Sequence, residues 1–404
     1  MELTRAYKFR IYPDATRQEE IDERLVLAQQ FYNKILERSI ASYQNGKTKV
    51  SMAQFNRFVK EIIQEDKKYL KLYSQTRCEI EYRLLKAYQN FFRRIKERKK
   101  KAGFPRFRSR DRYKSMTYPQ DNGSFSIHKG RLRVSRIGSM PIEMRRTTEG
   151  KIKTLSIKKD ADKYYAIFTA ITEIKIPEVE NSNPVGIDLG LNSFIALSDG
   201  TKVEKPKFMQ QKKRRITLWQ KRVARRDKGS KRREKAKAGL QKTYEHITNQ
   251  SDDYLHKLSK TLVISGYTSF AVEDLQIQNM VKNHRLAGAI HNASWNRFIQ
   301  LRSYKAESAG SRVEKVDARN TSKTCSNCGN IQDMPLSERT YNCQRCGMSK
   351  DRDINASINI LHMATTLGQR ESHAQGENVR PQQEAVLEEL RTDKTHPFQD
   401  AVIA

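Results

Sequence analysis

The chain opens with residues that alternate between apolar and polar. Positions 6–12 (AYKFRIY) alternate throughout, which predicts a β-strand that Pro13 ends. The next apolar residues recur every three or four positions, the spacing of a helix with one buried face. They are Ile21, Leu25, Ala28, Tyr32 and Ile35. A capping box formed by Thr16 and Glu19 is the predicted start of this helix.

Two further helices follow on the same spacing. One is predicted to start at Ser51, with Gln54 completing a capping box, and the other covers about 74–101. Cys78 falls inside the later helix, where we expect a buried, unreactive thiol. From 124 to 173 the pattern changes to short apolar runs separated by turns, which predicts strands. The first half of the chain is therefore predicted to be a basic α+β unit.

The second half of the chain predicts a sheet with helices between its strands. Positions 185–197 form two hydrophobic strands joined by a tight turn, and Asp199-Gly200 turns the chain into a third. Further strands are predicted at 268–272 and 313–316, each after a helical segment. The resulting order of elements is β-β-β-α-β-α.

Acidic residues stand where two of these strands would end. Asp188 lies in GIDLG and Glu273 lies in VEDL. Another pair, Asp351 and Asp353, precedes apolar residues at helical spacing and so lies at a helix start, where the helix dipole favours an anion. This pair could serve only to cap the helix. Alternatively, three acids delivered by two strands and a helix could converge to hold divalent metal.

Four of the five cysteines form two Cys-x-x-Cys pairs separated by a polar loop. The pairs are Cys325 with Cys328, and Cys343 with Cys346. This spacing is typical of a structural zinc site with four thiolate ligands. Gly329 and Gly347 follow the two pairs and permit a tight turn after each. Two disulfides are the alternative, but adjacent Cys-x-x-Cys pairs suit one metal ion better than two strained bridges.

The charge of the chain indicates a polyanionic partner. Its 404 residues include 78 Lys and Arg against 46 Asp and Glu, a formal net charge of +32. Nucleic acid is the expected partner. An anionic membrane surface would require one concentrated basic amphipathic helix, whereas here the charge is spread over several segments. With no transmembrane run or targeting signal in view, we expect a cytoplasmic protein of a prokaryote, associated with the nucleoid when it acts.

Two segments hold much of the positive charge. Positions 93–114 contain twelve Lys or Arg and two acids, and positions 205–242 contain seventeen and two. Aromatic residues stand among the cations of the first segment, which suits stacking on bases while phosphates are neutralised. A solvated helix end is the alternative. The candidate nucleic-acid contacts are Arg93, Arg94, Lys99, Lys100, Phe104, Arg106, Phe107, Arg108, Arg214, Arg215, Arg222 and Arg225.

Several pieces together resemble one known family. They are GIDLGLNSFIALSDG at 186–200, VEDL at 272–275, ASW at 293–295, TSKTCSNCG at 321–329 and YNCQRCGMSKDRDINASINI at 341–360. Their order, with the cysteine pairs before the last acid, is similar to the RuvC-like nuclease core of the TnpB family. TnpB proteins are transposon-encoded, RNA-guided DNA endonucleases related to the type V CRISPR effectors. The resemblance covers most of the chain and is specific in its second half.

The resemblance implies an α+β multidomain architecture. A small wedge-like β-barrel at 1–13 and 103–180 would carry an inserted helical recognition bundle at 14–102. An RNase H-like (RuvC) α/β nuclease domain would cover 181–318 and 348–366, with a four-cysteine zinc ribbon inserted at 319–347. Positions 367–404 are polar and depart from the family, and we expect a disordered tail there.

The resemblance also implies an activity. The protein would bind a guide RNA derived from its element, recognise a short motif beside a DNA target and cleave the DNA with two Mg²⁺ ions. Its partners would be the guide RNA, the double-stranded target and the displaced single strand, with no membrane and with the protein as a monomer.

The family pattern assigns roles to the acids and the cysteines. Asp188 would bridge the two Mg²⁺ ions, and Glu273 and Asp353 would each complete the coordination of one. Asp353 is preferred to Asp351 because it directly precedes Asn-Ala, as in the D-x-N-A pattern of the family. The zinc ion would be structural.

Other functions compete with RNA-guided cleavage. A guided repressor that has lost cleavage would not need the three acids. A guide-independent RuvC-type nuclease, or a zinc-ribbon nucleic-acid-binding protein, would not explain so large and basic an N-terminal half. A DNA-joining transposase could use the same acids and stays open.

Overall fold

The computed structural model describes residues 2–46, 51–97, 102–120, 123–173, 182–275, 277–283, 287–288, 290, 293–317, 319–335 and 337–371. The chain divides into two compact units, one within Glu2–Glu173 and the other within Ile174–Gln382. No helix in the described ranges is both long and apolar enough to cross a membrane.

The first unit is built around a barrel-like antiparallel sheet. Its seven described strands are β1 (Glu2–Ile11), β2 (Ser115–Tyr118), β3 (Phe125–His128), β4 (Arg131–Val134), β5 (Gly138–Glu143), β6 (Lys151–Asp160) and β7 (Lys163–Glu173). Their order across the sheet is β2-β6-β7-β1-β5-β4-β3. The alternating pattern of β1 buries Tyr7, Phe9 and Ile11 in the core. The predicted first strand and the β character of 124–173 are confirmed.

Helices lie between β1 and β2 in the sequence. They are α1 (Ala15–Gly46), α2 (Met52–Glu65) and α3 (Ser74–Lys96), with short 3-10 helices at Lys67–Lys71 and Arg110–Arg112. Their apolar faces form a second core that includes Phe31, Ile35, Phe55 and Leu84. The amphipathic spacing predicted from sequence accounts for this core.

The start of α1 differs from the prediction. The helix begins at Ala15, and the carboxylate of Asp14 accepts a hydrogen bond from the backbone N–H of Arg17 at 2.8 Å. Asp14 is therefore the capping residue, and the capping box predicted at Thr16 is wrong. Aspartate is at least as good as threonine at this position, so the earlier residue starts the helix.

The start of α2 agrees with the prediction in part. Ser51 accepts a hydrogen bond from the backbone N–H of Gln54 at 3.3 Å, as a capping residue should. The side chain of Gln54 donates instead to the hydroxyl of Ser42, at 2.5 Å. A contact with α1 therefore replaces the second half of the predicted capping box.

Helix α3 shows why the predicted burial of Cys78 is wrong. Its core face runs through Thr76, Ile80, Leu84 and Tyr88, which are buried at intervals of four residues. Cys78 lies two residues from this row, which is about 200° around the helix at about 100° per residue. The thiol is accordingly exposed.

The second unit contains a mixed sheet. Its five described strands are β8 (Pro184–Asp188), β9 (Ser193–Leu197), β10 (Lys202–Glu204), β11 (Ser269–Glu273) and β12 (Arg312–Val316). They lie in the order β10-β9-β8-β11-β12. The pairs among β8, β9 and β10 are antiparallel, whereas β11 is parallel to both β8 and β12. All five strands predicted in this half are present.

The helices of the second unit are α4 (Phe208–Ala224), α5 (Lys231–Ile264), α6 (Ile277–Met280), α7 (Trp295–Ser308) and α8 (Arg352–Glu371). A small hairpin of β13 (Thr340–Asn342) and β14 (Ser349–Asp351) precedes α8. Helix α8 continues past position 366, where the tail was predicted to begin, and positions 372–404 lie outside the described residues.

The basic helices α4 and α5 pack through a small apolar contact. Ile216 and Val223 of α4 are buried, and the half-buried Trp219 lies against Gly239 of α5. A Cβ atom at Gly239 would come within 2.7 Å of the indole ring. Glycine therefore allows the close approach of the two helices.

One cationic side chain is buried in the core of the second unit. Arg302 of α7 is fully buried, and its guanidinium carbon lies 4.7 Å from the ring centroid of Phe270. Its three nitrogens have no hydrogen-bond partner among the described residues. Burial lowers the pKa of Arg302 to about 9. A buried cation with only a cation–π contact destabilises the folded state.

We therefore expect Arg302→Met to stabilise the protein. Methionine fills a similar length without charge, so the free energy of unfolding should rise by about 1–4 kcal/mol. Thermal denaturation would measure this change as an increase in Tm. Arg302→Lys retains a buried charge and should give no increase. A methionine variant that melts below the wild type would show that the guanidinium is compensated.

Candidate functional site

Asp188 and Glu273 end neighbouring parallel strands. The register of β8 and β11 pairs Ile187 with Val272. Asp188 and Glu273 are the next residues of the two strands, so they lie side by side. Because the strands are parallel, both acids lie at the same edge of the sheet. Glu273 is buried and Asp188 is half-buried. The two sequence-predicted acids are therefore neighbours.

Helix α8 brings Asp353 to this edge because it packs directly on β8. A Cβ atom at Gly186 would lie 2.0 Å from the carbonyl oxygen of Ser357 and 2.9 Å from Leu361. Any side chain at position 186 would therefore push the helix away from the strand. The glycine in GIDLG allows the first turn of α8, which contains Asp353, to lie beside Asp188.

The charges of Glu273 and Asp353 both act on Asp188. Burial, followed by the negative charges of Glu273 and Asp353, raises the pKa of Asp188 well above its ordinary value, while Arg352 lowers it. Burial also raises the pKa of Glu273, against a hydrogen bond from the hydroxyl of Thr321. A bound cation would offset both the burial and the repulsion. The arrangement therefore favours a cation site.

The donor atoms fit magnesium. They are carboxylate oxygens, the hard ligands that Mg²⁺ prefers. Asp188, Glu273 and Asp353 together would supply such oxygens to a divalent cation.

Asp351 and Asp353 have different surroundings. One oxygen of Asp351 accepts hydrogen bonds from the backbone N–H groups of Asp353 at 3.0 Å and Ile354 at 3.2 Å, so Asp351 caps α8. Its other oxygen lies 2.5 Å from the ammonium of Lys202. Burial tends to raise the pKa of Asp351, but Lys202 and these backbone N–H groups lower it below its ordinary value.

Asp353 has a looser contact with the same lysine. Its carboxylate oxygen lies 3.7 Å from the Lys202 ammonium, and its charge acts on Asp188. Both carboxylate oxygens of Asp351 have close partners in the protein, whereas Asp353 has, among the described residues, only the longer contact with Lys202 and lies near enough to Asp188 for its charge to act there. This difference favours Asp353 as the third metal ligand.

The four cysteines also converge. The sulfurs of Cys325 and Cys346 lie 3.6 Å apart, as do those of Cys328 and Cys343, and all four lie within 4.8 Å of one another. Thiolates about 2.3 Å from a tetrahedral zinc ion would lie about 3.8 Å apart. A disulfide bond would require about 2.05 Å. The set fits one zinc ion, and the disulfide alternative is excluded.

The backbone around the cysteines supports this arrangement. Gly329 and Gly347 have φ angles of 72° and 70°, the left-handed conformation expected after each pair. The backbone N–H of Met348, together with the side-chain amide of Asn327, lowers the pKa of Cys346 to about 6. This environment favours the thiolate form of Cys346, the form that binds metal.

The candidate nucleic-acid-binding residues of the first unit differ in their exposure and contacts. Lys99 and Lys100 lie outside the described residues. Arg93, Arg106 and Arg108 are exposed, and Arg94 donates to the carbonyl oxygen of Ala102 at 2.8 Å.

The two aromatic candidates of this unit differ in exposure. Phe104 packs against Tyr88 and Phe91, with ring centroids 5.5 and 5.0 Å apart, whereas Phe107 is 57% exposed. Of these two rings, only Phe107 is free to stack on a base.

The candidate residues of the second unit lie on α4. Arg214, Arg215, Arg222 and Arg225 are exposed. The guanidinium carbon of Arg222 lies 4.8 Å from the ring of Trp219, which fixes its direction by a cation–π contact. These four side chains give α4 an exposed cationic surface.

Some residues around the acids were not predicted. No sequence pattern indicates the ion pair between Lys202 and Asp351. The two residues are far apart in the chain and meet because β10 pairs with β9 and α8 packs on the same sheet. Asn355 and Asn359 stand four residues apart on α8, and that spacing could have indicated two amides on one face. Both are buried and bind the segment that leads into the first cysteine pair.

Three family models match separate stretches of the chain. A helix-turn-helix domain of the IS605 OrfB type matches residues 1–48, a probable transposase model matches 155–284, and a Cas12f1-like TNB domain matches 295–360. In the described part of 1–48 the chain forms β1 and α1.

Curated relatives match over most of the chain. A protein of Streptomyces pristinaespiralis named "Putative RNA-guided DNA endonuclease" is 29% identical over 392 residues, covering 95% of this chain and 94% of that protein. The Escherichia coli K12 protein named "Putative RNA-guided DNA endonuclease InsQ" is 28% identical over 294 residues, covering 69% and 71%.

A solved structure shares the fold. The Cas12f1 chain in a complex with single-guide RNA and target DNA superposes with a TM-score of 0.55. It covers 89% of this chain and 98% of that chain at 13% sequence identity. The chain therefore has a Cas12-like fold with mixed α and β content.

Proposed function

We propose, from the confirmed resemblance of this chain to the TnpB family, that the protein is an RNA-guided DNA endonuclease encoded by a transposable element. The observation that carries the proposal is the grouping of Asp188, Glu273 and Asp353 at one edge of the sheet. The names of the curated relatives agree with this activity. The protein would act in the prokaryotic cytoplasm, on the nucleoid.

The second unit supports an RNase H-like (RuvC) nuclease domain. Three antiparallel strands are followed by two parallel strands, with the first strand at the centre of the sheet. The acids then stand at the end of the central strand, at the end of its parallel neighbour and on a covering helix. This placement agrees with the roles that the family pattern assigns.

Asp188, Glu273 and Asp353 would hold two Mg²⁺ ions, with Asp188 between the other two acids. The bound ions would supply an activated water and stabilise charge on the leaving 3′ oxygen. The chain itself prepares the site. Glu273 is buried, and Lys202 pairs more closely with Asp351 than with Asp353, whose charge acts on Asp188.

The four cysteines would hold one structural zinc ion. Four thiolates fill a tetrahedral coordination shell and leave no position for a substrate. The zinc ion would stabilise the segment 325–346, which otherwise has a small core of Met334, Tyr341 and the cysteines themselves. The two kinds of metal would therefore have separate roles.

Guide RNA and target DNA would bind the cationic side chains. Arg93, Arg106 and Arg108 in the first unit, with the α4 arginines in the second, are exposed and suited to phosphates. Phe107 is exposed for stacking on a base. Base pairing with the guide would read the target, and the protein would read a short flanking motif and bind the displaced strand.

Two alternatives make different predictions. A guided repressor would bind target DNA without cutting it, although the three acids are present. A transposase that uses the same acids would join DNA ends as well as cut them. The products formed on a target plasmid distinguish these outcomes from cleavage alone.

We expect Asp188→Ala to abolish DNA cleavage while RNA and DNA binding persist. The substitution removes a carboxylate that would hold the metal but no exposed cation. The measurement is cleavage of a target plasmid by the purified ribonucleoprotein, with gel-shift binding in parallel.

Asp274→Ala is the matched control for this experiment. Asp274 follows Glu273 directly but is exposed, beside Lys315, so this variant should cut normally. Unchanged cutting by Asp188→Ala would reject the active-site assignment.

We also expect substitutions at Asp351 and Asp353 to have opposite effects. Asp351→Ala removes the α8 cap and should lower the free energy of unfolding by about 1 kcal/mol while Mn²⁺ still binds. Asp353→Ala should lose Mn²⁺ binding and cleavage with little loss of stability. Denaturant titration and Mn²⁺ electron paramagnetic resonance measure the two effects. The reverse pattern would make Asp351 the metal ligand.

A further inference from the structure

The segment that leads into the first cysteine pair lies between two of the acids. It begins at Thr321, which is buried and whose hydroxyl donates a hydrogen bond to one carboxylate oxygen of Glu273. It continues through Thr324 to Cys325, the first cysteine of the cluster. One end of this segment therefore contacts a proposed magnesium ligand, and the other end is a proposed zinc ligand.

Two buried asparagines of α8 hold this segment in place. Asn359 donates to the carbonyl oxygens of Thr321 and Thr324, at 2.8 and 2.7 Å. Asn355 donates to the Thr324 carbonyl oxygen at 2.7 Å and accepts from the backbone N–H of Ser326 at 2.9 Å. Each amide thus makes two hydrogen bonds to the backbone of residues 321–326, and these bonds fix the position of the segment along α8.

The same helix carries the third acid. Asp353 lies two residues before Asn355, so the turn that presents this carboxylate is joined to the segment through Asn355. Arg352 adds a contact with the loop of the zinc ribbon, because its guanidinium donates to the carbonyl oxygen of Pro335 at 2.8 Å. The positions of Glu273 and Asp353 therefore depend on a shared set of hydrogen bonds.

We propose that Thr321 is a positioning residue for Glu273, and that Asn355 and Asn359 hold it against α8. The inference rests on the proposed function, because it concerns the metal that the three acids would hold. A glutamate side chain has three rotatable bonds, so a carboxylate beside a sheet edge can adopt several directions. A hydrogen bond from a buried hydroxyl to one oxygen selects a direction and leaves the other oxygen for a metal ion.

This arrangement gives the cysteine cluster a second role. By ordering the segment that starts at Thr321, the zinc-binding fold would set the direction of a carboxylate in the nuclease site. The two metal sites would then be coupled through Thr321, Asn355 and Asn359, although they share no ligand.

The test measures Mn²⁺ binding to the full chain by electron paramagnetic resonance, with zinc content and melting temperature for each variant. Thr321→Val keeps the shape of the side chain and removes the hydroxyl. We expect about ten-fold weaker Mn²⁺ binding with zinc retained, since loss of such an outer contact to a metal ligand costs about 10–100-fold. Thr321→Ser restores the hydroxyl and should bind Mn²⁺ nearly as the wild type does.

Two further variants complete the design. Thr340→Val removes an exposed hydroxyl from the hairpin of the zinc ribbon and should change nothing. Asn359→Ala keeps the side chains of Thr321 and Glu273 but removes the hydrogen bond that holds the Thr321 backbone against α8, so Mn²⁺ binding should weaken by a smaller factor. It provides the test if Thr321→Val does not fold.

The outcomes separate this inference from the proposed function. If Asp188→Ala weakens Mn²⁺ binding but Thr321→Val, or Asn359→Ala in its place, binds as the wild type does, the positioning role is wrong and the nuclease site stands. If Asp188→Ala itself has no effect on Mn²⁺ binding, the proposed site fails, and this inference fails with it. If Thr321→Ser binds Mn²⁺ as weakly as Thr321→Val does, the proposed role of the hydroxyl is wrong.

Discussion

The contact between β8 at Gly186 and the backbone of α8 at Ser357 is the constraint on which the candidate site depends. Two acids reach the sheet edge because β8 and β11 are parallel and in register. Asp353 lies on α8, which is distant from β8 in the sequence. It comes near Asp188 because β8 has a glycine, with no side chain, where α8 packs on it. A larger residue at 186 would separate the carboxylates and remove the mutual repulsion that favours a bound cation.

The electrostatics of the site oppose those of the surrounding chain. A net charge of +32 and the exposed arginines of α4 attract a polyanion, whereas the site gathers three carboxylates that would otherwise repel it. Bound divalent cations would reconcile the two, because they would neutralise the acids and bind phosphate oxygens. The cysteine cluster has a separate role. Four thiolates around a zinc ion would leave no open position, but the segment that leads into the cluster contacts both Glu273 and α8.

Much of the fold was predictable, because local patterns determine it. The alternation in β1, the apolar runs of β8 and β11 and the paired cysteines each indicate one structure. Two local predictions were wrong. Asp14 rather than Thr16 caps α1, because two nearby residues can serve as the cap, and Cys78 lies on the exposed side of α3 rather than in the core. In the site, the acids could be named from sequence. The contacts of Lys202 with Asp351, and of Thr321 with Glu273, depend on residues that only the folded chain brings together.

The central claim is that an RNA guides this protein to DNA. The most direct measurement is to express the protein with the native DNA that flanks its gene, purify it, and sequence the RNA that remains bound. A single structured RNA that ends in a segment from beyond the end of the element is the expected result. Heterogeneous host RNA, or none, would contradict it and would leave a basic metal-dependent nuclease without a guide.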